Sequence, residues 1–302
     1  MSPPSVAPKL SIVVGSKDAE YTIASCLDAL LSACSGVDAE IVVVDASIDG
    51  TARIVRKNFP SVRLAICPAG TLVPSLWAEG VKRTTGRMVA FTIAECVVTP
   101  TWARSLIEAV EAGAAGAGGS FDIEPSAPVL AHAVFYLRYS AFMRGTSGPQ
   151  REIAGDNACY RRPLLDEQGD AFDNGFWEVE LHRRIRGAGE QLVLVDGATA
   201  RLAGAPPFRT MARARFSHGQ HFGGWRVSTG ARSAWQVVAA APIVPVVLTF
   251  RIGRRVLPNP SHRLRFMFAL PLILALAACW AAGEAFGALT GQDPKRTIEV
   301  AA

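Results

Sequence analysis

The sequence predicts an α/β domain, a mostly parallel sheet covered by helices, followed by a membrane-associated helical region. Three observations carry that expectation. Short continuous apolar runs alternate with segments of helical period through the first 200 residues, the pattern of a sheet buried on both faces. Several runs end in an acid and a turn, and open α/β sheets bind ligands beyond the carboxyl ends of their strands. Charge is uneven: Arg201 to Arg265 holds eleven Arg and no Asp or Glu, whereas residues 1–200 hold 18 basic and 23 acidic ones.

The 302 residues suffice for a substantial core, and half are hydrophobic with a mean hydropathy of +0.23, high for a purely soluble protein. Basic residues interleaved with long apolar runs favour anionic lipid as a partner over nucleic acid. The six Cys, at 26, 34, 67, 96, 159 and 279, form no CxxC pair. They read as small buried hydrophobes in a reducing compartment. MSPPSVAPKL lacks the basic and apolar regions of a signal peptide.

Residues 1–8 read as a disordered leader. Leu10–Val14 is a strand ending at Gly15-Ser16-Lys17-Asp18, and Tyr21–Ala33 carries apolar residues at helical spacing. Glu40–Asp45 is a second buried strand; Asp49 or Thr51 can cap the helix after it. Val62–Cys67 is a third strand and Ser75–Thr84 a helix. The fourth strand, Arg87–Thr92, runs into a polar break at Glu95 before Pro100 and Trp102 open the helix to Ala112. The glycines at 113, 116, 118 and 119 follow a helix, so the dinucleotide fingerprint fails on context, and close backbone packing is the better reading.

Pro128–Met143 reads as an aromatic-rich helix, Ile153–Arg162 as a small-residue loop entering a strand, and the end of Phe172–Gly189 as an amphipathic helix stopped by Gly189. Gln191–Asp196 and Thr199–Leu202 read as two short strands. His182 is expected at the surface or in packing. His218 and His221 are expected in an interfacial loop, since no acid nearby completes a metal set.

The tail divides into a basic amphipathic connector, 206–233, and a membrane-associated region, 234–302. Within it Trp235–Phe250 and Phe266–Leu289 are apolar, near the ~20 residues that cross a bilayer. The five Arg of RIGRRVLPNPSHRLR between them oppose placing that loop outside. Trp235–Phe250 is therefore expected to be re-entrant or interfacial, with only 266–289 crossing.

Four stretches together resemble the family 2 glycosyltransferases of the GT-A fold: SIVVGSKDAEYTIASCLDALL, EIVVVDASIDGT, GVKRTTGRMVAFTIAECVVTPTW, and GDNACYRR followed by GFWEVELHRRIRGAG. The likeness covers roughly 10–225 and implies a GT-A domain at 9–205, with a tail like that of membrane-associated bacterial members. It implies a nucleotide-sugar donor, a lipid-linked or polysaccharide acceptor, and a catalytic domain facing the cytoplasm at the inner membrane, in cell-envelope polysaccharide synthesis. Asp45 suits the donor's base N–H or ribose hydroxyls, with Asp18 and Glu20 on the neighbouring loop. The resemblance places the base of an inverting transfer just before the helix at 179–188, where Glu178 and Glu180 are both candidates. Trp177 beside Glu178 could stack on a sugar and desolvate the carboxylate; Glu180 could instead pair with Arg183 or Arg184. Asp156 and Asn157 would line the acceptor side, or form an Asx turn.

The sequence departs from the family in three places. Where the family carries Asp-x-Asp to hold Mn²⁺ or Mg²⁺, this chain has Ile93-Ala94-Glu95. Glu95 alone is a poor site for a hard cation. Either Glu95 with the substrate phosphates holds a weakly bound metal, or cations such as Lys17, Arg215 or Arg226 neutralise the pyrophosphate; anionic headgroups are the other destination of those Arg. Gly15 replaces a customary Pro, and Trp77-Ala78 stands where Arg-Asn is common. These changes keep a second reading open: a catalytically inactive relative that binds nucleotide or scaffolds polysaccharide assembly.

Overall fold

The structure is a computed structural model and describes residues 7–145, 147–167 and 175–291. Most of the expected leader, and the 168–174 stretch before the candidate base, lie outside the described residues. Two compact units are formed. One contains the chain up to Glu124 and Phe142–Ala203; the other contains Pro125–Ala141 and the chain from Gly204 on.

The first unit is one nine-stranded sheet. Its first half alternates strand and helix: β1 (Leu10–Ser16), α1 (Ile23–Ala33), β2 (Ala39–Asp45), α2 (Thr51–Asn58), β3 (Arg63–Ile66), α3 (Val73–Lys82) and β4 (Met88–Ile93). β1, β2 and β4 are buried on both faces at almost every position. This is why they read as unbroken apolar runs rather than alternating ones. Then follow β5 (Cys96–Val98), α4 (Trp102–Glu111) and β6 (Gly116–Ile123). After the second unit's first helix, α5 (Val129–Tyr139), the sheet resumes with β7 (Gly148–Gln150), β8 (Asn157–Arg161), α6 (Arg162–Asp166), α7 (Glu178–Gly187) and β9 (Leu192–Leu202).

The strand order is β3-β2-β1-β4-β8-β6-β9-β5, with β7 on β9. Four pairings are parallel and four antiparallel, so the sheet is mixed rather than mostly parallel. Apolar continuity reports burial of both faces, not strand direction, and the β3-β2-β1-β4 half is the parallel part. Register matters for function. Ser16 lies beside Asp45, Gly15 beside Ile93, and Thr92 beside Asn157, which opens β8. Three strand ends and the loop before β8 are thereby neighbours.

The glycine-rich run is β6, and close packing explains it. A Cβ at Gly119 would overlap the Ala198 carbonyl of β9, and one at Gly116 would lie 2.6 Å from the Tyr160 ring. The two short strands expected at 191–202 are one, β9, which absorbs a register shift against β6 between Gly119 and Phe121.

The second unit is helical: α5, α8 (Phe208–Ser228), α9 (Ala234–Ala240), α10 (Val244–Val256) and α11 (Pro260–Thr290). His218 and His221 are inside α8, not in a loop. The connection expected around RIGRRVLPNPSHRLR shrinks to Leu257–Asn259: α10 continues through Arg254 and Arg255, Asn259 Oδ1 caps the Ser261 N–H at 3.2 Å, and Pro260 opens α11, where its missing N–H costs nothing. α11, whose most apolar 18-residue window has a mean hydropathy of 2.1, is the one described helix long and apolar enough to cross a membrane, and α9 with α10 forms a pair bent by 63°.

α8 and α11 meet backbone to backbone. Gly219 and Gly223 on α8 face Gly283 and Gly287 on α11, and a Cβ on any of the four would collide with a main-chain carbonyl of the other helix. This is the small-residue spacing that brings helices close in apolar surroundings. Glu284, 2% exposed, is ion-paired to Arg226 at the same crossing. α5 joins α11 through Tyr136, whose hydroxyl lies 3.1 Å from His262 Nδ1 and whose ring packs edge-on against Phe266.

Candidate functional site

At the carboxyl ends of β1 and β2 the loops brace each other. The Asp18 N–H donates to Ser47 Oγ at 2.7 Å, and Ser47 in turn donates to Asp45 Oδ1. The Ile48 N–H donates to Asp18 Oδ1 and the Gly50 N–H to Glu20 Oε2, each at 3.1 Å. The Glu20 N–H donates to Asp49 Oδ2, and Asp49 Oδ1 accepts from the Thr51 N–H that opens α2. Burial alone would raise the Asp49 carboxyl, but the bonds from Thr51 and Glu20 outweigh it and hold it below the usual range. The Asp18 and Glu20 carboxylates thus clamp one loop to the other, with Asp18 in the left-handed region at φ +50°. Asp45, 1% exposed, closes β2 beneath this brace, and Lys17 is exposed at the end of β1.

Two hydroxyls at the same strand ends, Ser16 Oγ and Thr92 Oγ1, are buried without a partner among the described residues. Such groups are costly unless something binds them.

Two family departures prove to be coupled. Trp77 lies against Gly15, where an added Cβ would stand 3.1 Å from the indole nitrogen. That nitrogen donates to the Thr92 carbonyl at 2.9 Å. A larger residue at 15 would displace the indole, so the glycine and the tryptophan are one change in volume. Trp77 also opens an aromatic cluster: Phe91 stacks on Phe176 at 4.4 Å, and Tyr160 meets both. The Phe176 N–H donates to the Pro74 carbonyl at 2.7 Å. The cluster therefore anchors the entry to α7 on the end of β4.

That anchor positions the candidate base. Glu178 is the first residue of α7, where the helix dipole favours an anion. Its carboxylate lies over Gly155: a Cβ there would be 3.1 Å from Glu178 Cδ. Glu180 is tied up differently. Arg183 donates to it at 2.7 Å and Arg184 at 3.1 Å, and these bonds hold its carboxyl below the ordinary range. Trp177 is the residue before α7, half-buried.

His182 is fully buried rather than at the surface. Burial lowers its pKa against the opposing bond to Glu152, so it is neutral at pH 7. Nδ1, 2.6 Å from Glu152 Oε2, then carries the proton, and Nε2 accepts from the Tyr160 hydroxyl at 2.7 Å. Burial and then the Glu178 charge push the Tyr160 pKa well up, which keeps that hydroxyl a donor. Sequence reasoning missed Tyr160 and Glu152, and it missed the roles of His182 and Trp77, because their partners lie elsewhere along the chain.

Of the two acceptor-side residues, Asp156 is buried in the loop before β8. Asn157 points into the core instead. Its Oδ1 accepts from Trp102 Nε1 at 2.7 Å, and its Nδ2 donates to the Ser120 and Ala198 carbonyls at 3.0 Å. With both ends of the amide used, Asn157 joins α4, β6, β8 and β9 rather than lining an acceptor pocket.

Glu95 lies in the turn between β4 and β5, close enough to Cys26 for its charge to add to the burial that raises the thiol pKa. Ile93 and Ala94, at 2% and 0% exposure, offer no ligand. Among the described residues no three His, Cys, Asp or Glu gather as a metal site. The donor set does not fit a hard divalent cation, which takes several oxygens. Arg215 and Arg226 belong to the second unit, and Arg226 is the partner of Glu284.

The family described as Glycosyl transferase family 2 matches residues 11–169, just over half of the chain. Among solved structures the chain is similar to one described as a crystal structure of GalNAc-T7 with UDP, GalNAc and Mn²⁺, at 13% identity and TM-score 0.49, covering 66% of this chain and 44% of that one. It is also similar to the mannosyltransferase PcManGT from Pyrobaculum calidifontis in complex with GDP-Man and Mn²⁺, at 19% identity and TM-score 0.47, covering 99% of this chain and 80% of that one. The chain thus spans less than half the length of the first of these. No curated protein matches it.

Proposed function

This chain belongs to the Glycosyl transferase family 2, and from that premise we propose that it moves a sugar from a nucleotide-sugar donor to an acceptor hydroxyl, with Glu178 as general base. The donor's base and ribose lie at the carboxyl ends of β1 and β2, where Asp45 accepts from an N–H or a hydroxyl. Asp18 and Glu20 hold the loop that presents it. Lys17, at the exposed end of β1, counters the pyrophosphate charge in place of the missing acid motif. Glu178 takes the proton of the acceptor hydroxyl as its oxygen attacks the anomeric carbon; the bond from that carbon to the diphosphate oxygen breaks, and the nucleoside diphosphate leaves. One displacement inverts the anomeric centre. Asp156 and Trp177 border the acceptor. No step is routed through a metal.

The observation that carries this reading is the different fate of two neighbouring carboxylates. Glu178 opens α7 with its carboxylate against Gly155 in the loop before β8, whereas Glu180 is held by two arginines. Glu178→Gln should lower turnover by about 10²–10⁴-fold while donor binding, measured by calorimetry, is retained. Glu180→Gln should stay within a few-fold of wild type. Equal loss in both variants would reject the assignment, and a product of retained anomeric configuration would reject the single displacement.

The acceptor we propose is lipid-linked or a growing polysaccharide at the cytoplasmic face of the inner membrane. Support comes from α11 and from the arginines flanking the apolar segments. In this arrangement α11 crosses and the bent pair α9–α10 is re-entrant or interfacial; cysteine-accessibility mapping that puts residue 258 outside the cell would exclude it. Ile93-Ala94-Glu95 favours a second reading, a non-catalytic nucleotide-binding or scaffolding protein. Titration with UDP, GDP and their sugars, with and without Mn²⁺, separates the cases. Metal-independent binding with turnover supports the enzyme described above, binding without turnover supports the scaffold, and a strict Mn²⁺ requirement would return Glu95 to a metal role.

A further inference from the structure

The second unit holds a cavity of ≈ 270 Å³ lined by four arginines: Arg138 at the end of α5, Arg215 on α8, and Arg251 and Arg255 one turn apart on α10. Ser140 and Leu248 are also in the wall, which carries no Asp or Glu. Arg138, Arg251 and Arg255 are exposed at its rim, while Arg215 lies deeper and its Nε is buried with no hydrogen-bond partner among the described residues. No carboxylate among the described residues pairs with Arg215, Arg251 or Arg255.

This arrangement is unfavourable as it stands. Like charges one helical turn apart repel, and a buried guanidinium N–H without an acceptor forfeits the bond it made to water. Burial, and then the charge of Arg138, bring the Arg215 pKa down to about 10. Elsewhere in the same unit a buried charge is matched inside the protein, as Glu284 is by Arg226. A bound anion with several oxygens would relieve all of this together, because guanidinium forks match phosphate oxygens two at a time. The volume is just under the ~300 Å³ lower end of ordinary ligand pockets, which suits a headgroup better than a whole nucleotide sugar.

We infer that the Arg138–Arg215–Arg251–Arg255 cavity binds a phosphate or diphosphate group, carried by a membrane lipid or by a soluble phosphate compound. The inference does not rest on the glycosyl-transfer reading, since its readout is binding. The full chain in neutral detergent is titrated with two probes, inorganic pyrophosphate and dihexanoyl phosphatidic acid. At least one should bind and raise the melting temperature of the wild-type chain by mass action. Tighter binding of the lipid names a headgroup site, and tighter binding of pyrophosphate names a soluble one. Arg251→Gln/Arg255→Gln, altered only at the exposed rim, should weaken that binding about tenfold or more. Arg254→Gln, exposed on α10 but outside the cavity, should leave it within about twofold. Failure of both probes to bind wild type, or an equal loss with Arg254→Gln, would overturn the site in favour of diffuse attraction to the basic surface.

Discussion

The two units treat their buried polar groups in opposite ways. In the sheet unit most are spent inside the protein, as Asn157 is on three partners and His182 on Tyr160 and Glu152. The exceptions among the described residues are the Ser16 and Thr92 hydroxyls, at the strand ends where a donor would sit, and the Arg161 Nε at the end of β8. In the helical unit the backbones touch through four glycines, one ion pair is buried, and several arginines face a cavity with no acid in it. A unit that satisfies itself marks its site by the few groups it leaves over. A unit with surplus charge marks its site by the partner it needs.

The largest effect that would sharpen this contrast is expected at the glycine crossing. Gly223→Val places branched carbons where the Glu284 backbone already is. Unlike an overpacked side-chain core, which costs about 1–3 kcal/mol, this crossing has only main chain to move, so α8 and α11 should separate. Protease resistance and melting of the detergent-solubilised chain should both fall, with Arg226 losing Glu284. Wild-type melting in Gly223→Val would mean that backbone contact does not hold the helical unit.

Asn157→Leu comes next. It keeps the side chain's approximate size but leaves the Trp102 N–H and the Ser120 and Ala198 carbonyls unpaired in the core, each at about 1–3 kcal/mol. Chemical denaturation should show a loss of roughly 3 kcal/mol or more, with donor affinity preserved in whatever remains folded. Donor or acceptor binding lost without a loss of stability would instead put Asn157 in the site.

These residues also show what the sequence could and could not disclose. The apolar strands and Asp45 were legible because burial on both faces and an acid at a strand end are local signals. The reason to prefer Glu178 was half-legible: Arg183 and Arg184 stand three and four positions after Glu180, the spacing that ties up a helical carboxylate. The paired Gly-x-x-x-Gly motifs at 219–223 and 283–287 were printed in the chain, yet the Arg and His around the first masked it as a membrane-type signal. Strand direction in the second half, the coupling of Gly15 to Trp77, and the inward turn of Asn157 could not be read. Each depends on partners more than 35 residues away along the chain.

The smallest effect concerns the buried histidine. Burial holds His182 below its ordinary 6.5. Burial would raise Glu152, but the bonds from His182 and Arg186 hold it below 4.5. Both groups therefore bind protons more readily in the unfolded chain. Their contribution to stability is complete above about pH 6.5 and is lost as pH falls through the folded values. The melting temperature of the wild-type chain should decline from pH 7.5 toward pH 5. In His182→Gln, which can still bond Tyr160 and Glu152 but does not titrate there, the decline should begin only near the carboxylate range. The two curves should converge in acid, because a protonated His182 has lost its advantage over glutamine. Parallel curves across the whole range would show that the Tyr160–His182–Glu152 chain is not what makes the sheet unit acid-sensitive, and would shift that role to carboxylates such as Glu40 and Asp49, which its hydrogen bonds also hold low.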